Sequence, residues 1–174
     1  MNGLGAADPM RERILRATFK VLCRHGYSKL NLSDVAAQAG ISRPTLYKFF
    51  SSKDDLLSAF SVFELRLLRE DLGHAIADRS GAEKVEALLQ FLAGFHASYQ
   101  MRGLIEIEPG LALGQMARAL PALVELVTPA LAGQVRDPEV VAMTLVRLAV
   151  CHYLVPGHDD ARLLDQLRAS AGVR

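Results

Sequence analysis

Cysteine is scarce in this chain: two residues in 174, Cys23 and Cys151. Each sits far from the other inside an apolar helical pattern, which reads as a pair of buried free thiols in a reducing compartment, not as a disulfide framework. Cys151 and His152 are neighbours and diverge around a helix, and one Cys with one His falls short of four zinc ligands. No metal and no cofactor is therefore expected. No uninterrupted apolar run reaches the roughly 18 residues of a membrane span, and the start, MNGLGAADPM, lacks the apolar core of a secretory signal. The expectation is a cytoplasmic protein with no membrane partner. Period-two alternation is missing over any strand-length stretch, and there is no internal repeat. Catalytic patterns are equally thin. Glu106 and Glu108 form a close carboxylate pair on a stretch read as extended, where residues two apart share a side. Without a nucleophile, a Gly-rich phosphate loop or metal spacing beside them, the pair reads as capping or solvating a loop, and no enzyme is expected.

What is present points to helices. Hydrophobic residues make up 51% of the chain and charged residues 22%, enough apolar surface to exclude disorder. The net charge is only +1, but its distribution is uneven. Up to Phe60 there are nine Lys and Arg against five acids; beyond it, eleven against fourteen. A basic head on an acidic body suits attraction of phosphate at one end. Residues 1–9 read as a loose arm. A first helix follows from about Met10 to His25, with Ile14, Thr18, Val21 and Leu22 at helical spacing and Gly26 as its stop. Ser52 with Asp55 opens a long helix over 52–77, Ser80 with Glu83 another, and Asp137 with Pro138 a third that runs to about Val155. Between them, Pro109, Gly110, Gly114, Pro121 and Pro129 divide the chain into short helices near 110–119 and 121–132. A last helix is expected over about 159–169.

The stretch Asn31 to Phe50, NLSDVAAQAGISRPTLYKFF, organises the head. Asn31 is a good N-cap with Asp34 three residues on; Gly40 stops the helix, and Ser42 caps the next, with Pro44 in its first turn. Leu46, Phe49 and Phe50 face inward, leaving Arg43, Thr45, Tyr47 and Lys48 outside. A second helix that presents short polar, cationic and aromatic groups at its start suits a DNA major groove. On spacing alone, an ordinary helical hairpin with a charged face is served equally well.

Residues from about Arg11 to Phe60 resemble the DNA-binding domain of TetR-family transcriptional regulators. The resemblance rests on AT at 17–18, HGY at 25–27, LSDVAAQAGIS at 32–42, TLYKFF at 45–50 and SKDDLL at 52–57, in order and without gaps. Asn31 departs from the family's usual Thr but still caps. The resemblance implies an all-α homodimer with a three-helix, helix-turn-helix DNA-binding domain at 10–51 and a helical effector-binding and dimerisation domain at 52–174, joined by the helix 52–77 acting as a lever. It implies a ligand-responsive regulator, a repressor on a near-palindromic double-stranded DNA operator, released by a small effector, which the chiefly apolar candidate pocket residues named below suggest is apolar. An activator or an architectural protein without effector is the alternative. DNA contacts are expected from Asn31, Ser33, Ser42, Arg43, Pro44, Thr45, Tyr47, Lys48 and Lys53. In the body, Phe91, Phe95, His96, Tyr99, Met101, Met116, Leu120, Leu123 and Val127 are the expected pocket lining. The helix 138–155 is apolar almost all round and must be covered on both sides. Val140, Thr144, Arg147, Cys151 and Leu154, with Leu163, Leu164 and Leu167 of the last helix, are therefore expected to meet a second copy.

Overall fold

The computed structural model describes residues 8–98, 102–155, 157 and 159–172, with the side chains of 96–98 and 102–104 outside the description. Among the described residues there are nine α-helices and no strand: α1 Pro9–Lys29, α2 Leu32–Ala39, α3 Arg43–Tyr47, α4 Lys53–Ile76, α5 Gly81–Ser98, α6 Arg102–Ile107, α7 Pro109–Leu131, α8 Pro138–Leu154 and α9 Leu163–Ala171, the last preceded by a 3-10 turn at Asp160–Arg162. They form two compact units. The first holds the chain up to Glu64 together with Gly103–Leu111; the second holds Leu65–Arg102 and Ala112–Arg174. The division falls within α4, beyond its start, because Phe60 and Phe63 still pack on the head. Phe60 meets Phe19 with ring centroids 6.4 Å apart, and Arg16 lies over the Phe63 ring.

The head is built on α1. Asp8 caps it by accepting the Met10 N–H at 2.8 Å, and Pro9 occupies the first turn, where no intrahelical donor is lost. Ile14, Leu15, Val21 and Leu22 are buried, along with Val35, Ala36, Leu46, Phe50 and Leu56 from the elements that follow. The helix continues past the expected stop, but Gly26 breaks it with φ 79° and ψ 176°, a conformation cheap only for glycine.

In the second unit Leu88, Leu89, Leu92, Val127, Leu131, Leu145 and Val146 share one core with Leu163 and Leu167. Leu163 and Leu167 were expected at a surface. They are 2% and 0% exposed inside this chain's own core, so α9 turns its main apolar face inward. Val127, placed in the pocket by sequence, is a core residue at 3%. A single helix, α7, replaces the two short ones expected around Pro121. Both Pro121 and Pro129 are exposed, as are Ala117 and Glu125, whose carbonyls lose their partners and can be solvated instead. At 23 residues α7 is also long and apolar enough, on length and composition, to cross a membrane, contrary to the expectation of no such segment. Arg118 and Glu125 interrupt it, and Val127, Ala130 and Leu131 pack into the core of the second unit. Cys23 is half-buried and Cys151 exposed, not two buried thiols; neither is in a disulfide. Cys151 falls on the outer stripe of α8.

Candidate nucleic-acid interface

Four local caps shape the exposed end of the head. Asn31 Oδ1 accepts the Asp34 N–H at 2.9 Å, and Asn31 Nδ2 donates to Asp34 Oδ2 at 2.6 Å, so the capping box closes side chain to side chain. Gly40, at φ 64° and ψ 40°, ends α2 with its N–H on the Ala37 carbonyl at 3.0 Å and the Ile41 N–H on Ala36 at 3.0 Å. This paired closure satisfies the helix's last carbonyls and sets the tight turn. Ser42 Oγ then accepts the Thr45 N–H at 3.2 Å and opens α3, while Ser52 Oγ accepts the Asp55 N–H at 3.1 Å and opens α4.

Long-range contacts hold this frame. Arg13 Nε donates to the Ala39 carbonyl at 2.7 Å and its Nη2 to Gly40 at 3.0 Å, bracketing the turn between α2 and α3. Arg11 lies 5.1 Å over the Phe50 ring, and Arg24 Nη1 donates to Gln38 at 2.9 Å. Near the end of α1, Glu108 accepts the Tyr27 N–H at 2.6 Å and the Ser28 N–H at 3.0 and 3.1 Å. The Ser28 side chain first, then these amides and the nearby Lys53, hold its carboxyl below the usual range, outweighing the upward pull of its surroundings. Sequence reading missed Arg13, whose partners lie 26 residues away. It placed Glu106 and Glu108 on an extended stretch; instead Glu106 is in helix α6, and Glu108 caps the turn after Gly26.

The expected DNA-contacting residues fall into three places. Asn31 and Ser33 sit at the start of α2. Ser42, Arg43, Pro44, Thr45, Tyr47 and Lys48 belong to α3 and its caps. Lys53 opens α4. Tyr47 is 46% exposed, and Ser42, Arg43, Pro44 and Lys48 are exposed as well; Thr45 is half-buried, its hydroxyl 2.8 Å from that of Ser42. Lys53 is half-buried and donates to the Ser28 carbonyl at 3.1 Å, leaving two of its three N–H donors. Arg11, Arg13, Arg16 and Arg24 are all engaged inside the head. By contrast, neither the Arg43 nor the Lys48 side chain makes a hydrogen bond or ion pair among the described residues. Leu46, fully buried, and Phe50, 1% exposed, anchor α3 from below. The result is a short helix seated on an apolar base with its cations and its aromatic hydroxyl left outward.

In the second unit Phe91, Leu120 and Leu123 are half-buried and pack against the core, while Phe95 and Met116 are half-buried. Tyr99, Met101 and the His96 side chain lie outside the described residues. On α8, Val140, Thr144, Arg147 and Cys151 are all exposed along one stripe with Met143; Leu154 and Leu164 are half-buried.

A turn bracketed by two short helices, the second offering unpaired cations, defines a helix-turn-helix head on a helical body. Residues 14–60 match the family model described as bacterial regulatory proteins, tetR family. The HTH-type transcriptional regulator AlkX of Mycobacterium tuberculosis is 34% identical over 88 residues, covering 51% of this chain and 41% of that protein. The chain matches half or less of the length of the curated relatives it resembles. Among solved structures, the TetR family repressor AlkX of Dietzia sp., implicated in biodegradation of n-alkanes, superposes with a TM-score of 0.64 at 25% identity, over 94% of this chain and 92% of that one. The fatty acid degradation regulator FadR of Bacillus halodurans shares the fold, with a TM-score of 0.72 at 16% identity over 96% and 97%. Residues 14–60 are thus similar to the tetR family of bacterial regulatory proteins, and the curated relatives are named as transcriptional regulators.

Proposed function

We propose that this chain is a DNA-binding transcriptional regulator that acts in the cytoplasm as a homodimer, represses from a near-palindromic operator, and is released by a small apolar effector. The observation that carries this reading is the outward set on α3: Arg43 and Lys48 unpaired beside an exposed Tyr47, above the buried Leu46 and Phe50. Arg43, with Thr45, meets base edges in the major groove. Tyr47, Lys48 and Lys53 take flanking phosphates. Asn31, Ser33, Ser42 and the free amides at the starts of α2 and α4 add weaker phosphate contacts.

One head offers too few contacts for a specific site, so the reading requires a second copy. The exposed stripe Val140, Met143, Thr144, Arg147 and Cys151 on α8 supports one. Two α3 helices then read half-sites about one DNA turn apart, roughly 34–36 Å. An apolar effector is supported by the aromatic and aliphatic side chains of α5 and α7, and by the likeness to a repressor implicated in n-alkane biodegradation.

Selection of bound DNA from a random pool tests the proposal. One enriched sequence family is expected, carrying two inverted half-sites about one turn apart. Enrichment of nothing, or of a single unrepeated half-site, contradicts it.

A further inference from the structure

Glu108 stands about eighty residues from the turn it touches. α6 ends at Ile107 and α7 begins at Pro109, so Glu108 occupies the residue between two helices, ahead of an N-terminus that favours a negative charge. Its carboxylate is nonetheless committed elsewhere. Oε2 accepts the Tyr27 N–H at 2.6 Å, and both oxygens accept the Ser28 N–H at 3.0 and 3.1 Å. Two successive amides following a positive-φ glycine form a small concave seat for an anion. Gly26 keeps that seat open: a Cβ there would stand 2.8 Å from the Glu108 carboxylate carbon and from Oε2.

The same backbone residue is held from its other side by a cation. Lys53 Nζ donates to the Ser28 carbonyl at 3.1 Å. Ser28 is thus fixed at its N–H by Glu108 and at its C=O by Lys53. All of these residues belong to the first unit.

We propose that Glu108 is a positioning residue for DNA binding. It fixes Ser28, the Ser28 carbonyl fixes Lys53, and Lys53 then presents its two remaining N–H donors to a flanking phosphate. The inference rests on the DNA-binding function proposed above. It predicts a sign opposite to that of simple electrostatics. A carboxylate beside a phosphate-contacting lysine repels DNA, so if it had no positioning role its removal would tighten binding.

The probe is the DNA selected by the wild-type protein. If the wild type selects and binds no DNA, the underlying reading fails, and that result is distinct from those below. Glu108→Gln, Glu108→Asp, Lys53→Ala and the Glu108→Gln/Lys53→Ala double variant are titrated with that DNA over a range of salt concentrations, with melting curves recorded in parallel. Glu108→Gln is expected to bind roughly five- to thirtyfold more weakly. The slope of log Kd against log salt should fall by about one, as for Lys53→Ala, and the double variant should be no weaker than Lys53→Ala alone. Glu108→Asp keeps the charge but is one methylene short, and is expected to share the loss. Glu108→Gln binding as tightly as wild type or more tightly overturns the proposal, as do losses that add in the double variant with an unchanged slope. Should Glu108→Gln fail to fold, Glu108→Asp decides: a reduced slope supports the proposal and wild-type binding overturns it.

Discussion

At the start of α3, one hydroxyl holds the reading helix in place. Ser42 Oγ accepts the Thr45 N–H and shares a hydrogen with Thr45 Oγ1 at 2.8 Å, so the cap and the first outward side chain are tied together. A helix of five residues cannot support itself by propagation and depends on such caps and on the burial of Leu46 and Phe50. Ser42→Ala is therefore expected to lower stability by about 0.5–2 kcal/mol, read from urea unfolding, with no change in helical content of the folded state. Caps of this kind are legible in the sequence, because donor and acceptor are three residues apart: Asn31, Ser42, Ser52 and Asp137 all cap where their residue types place them. The side chains that brace the frame are not. Arg13 reaches 26 residues forward and Glu108 about 80 back, and no local pattern marks an arginine or a glutamate for such a partner.

Among the elements, prolines and apolar faces divided the legible from the illegible. Pro121 reads as a boundary because its ring removes a helical donor, yet α7 runs through it where the orphaned carbonyl meets solvent. The near-total apolarity of α8 is legible, and the structure resolves it into two faces. Ala142, Leu145, Val146, His152 and Tyr153 turn inward, while Val140, Met143, Thr144, Arg147 and Cys151 remain outside. The seating of α9 is less local. Arg168 Nε donates to Glu86 of α5 at 3.1 Å, with a second, shorter contact from Nη2. The Arg168 hydrogen bond lowers the Glu86 pKa most; partial burial opposes it, and Gln90 and the guanidinium charge add to it. A carboxylate whose folded pKa is depressed stabilises the fold above its ordinary value and loses that contribution as pH falls through the folded value. Glu86→Gln should accordingly lower the Tm at pH 7, and the gap from wild type should narrow below pH 4.5 and close at lower pH. A gap that persists undiminished in acid would show that the contact stabilises by packing alone.

For the whole molecule, the uneven charge of the sequence separates two kinds of cation. Most of the head's arginines brace it from within, whereas Arg43 and Lys48 are left for a partner outside. The head's caps, glycines and buried residues were legible because they follow local rules, whereas the segment 103–111 that packs with it was not. The body was legible as helices but less so in its faces. Leu163 and Leu167 could serve a core or an interface equally well by periodicity, and burial in this chain's own core decides between them. The central claim is that the outward set on α3 reads DNA. Its most direct measurement is the affinity of wild type and of the Tyr47→Ala/Lys48→Ala double variant for the selected DNA, with circular dichroism of both. A loss of at least about tenfold is predicted, with a shallower salt slope and unchanged helical content, since both side chains lie outside the core. Equal affinity and equal slope for the two proteins would contradict it.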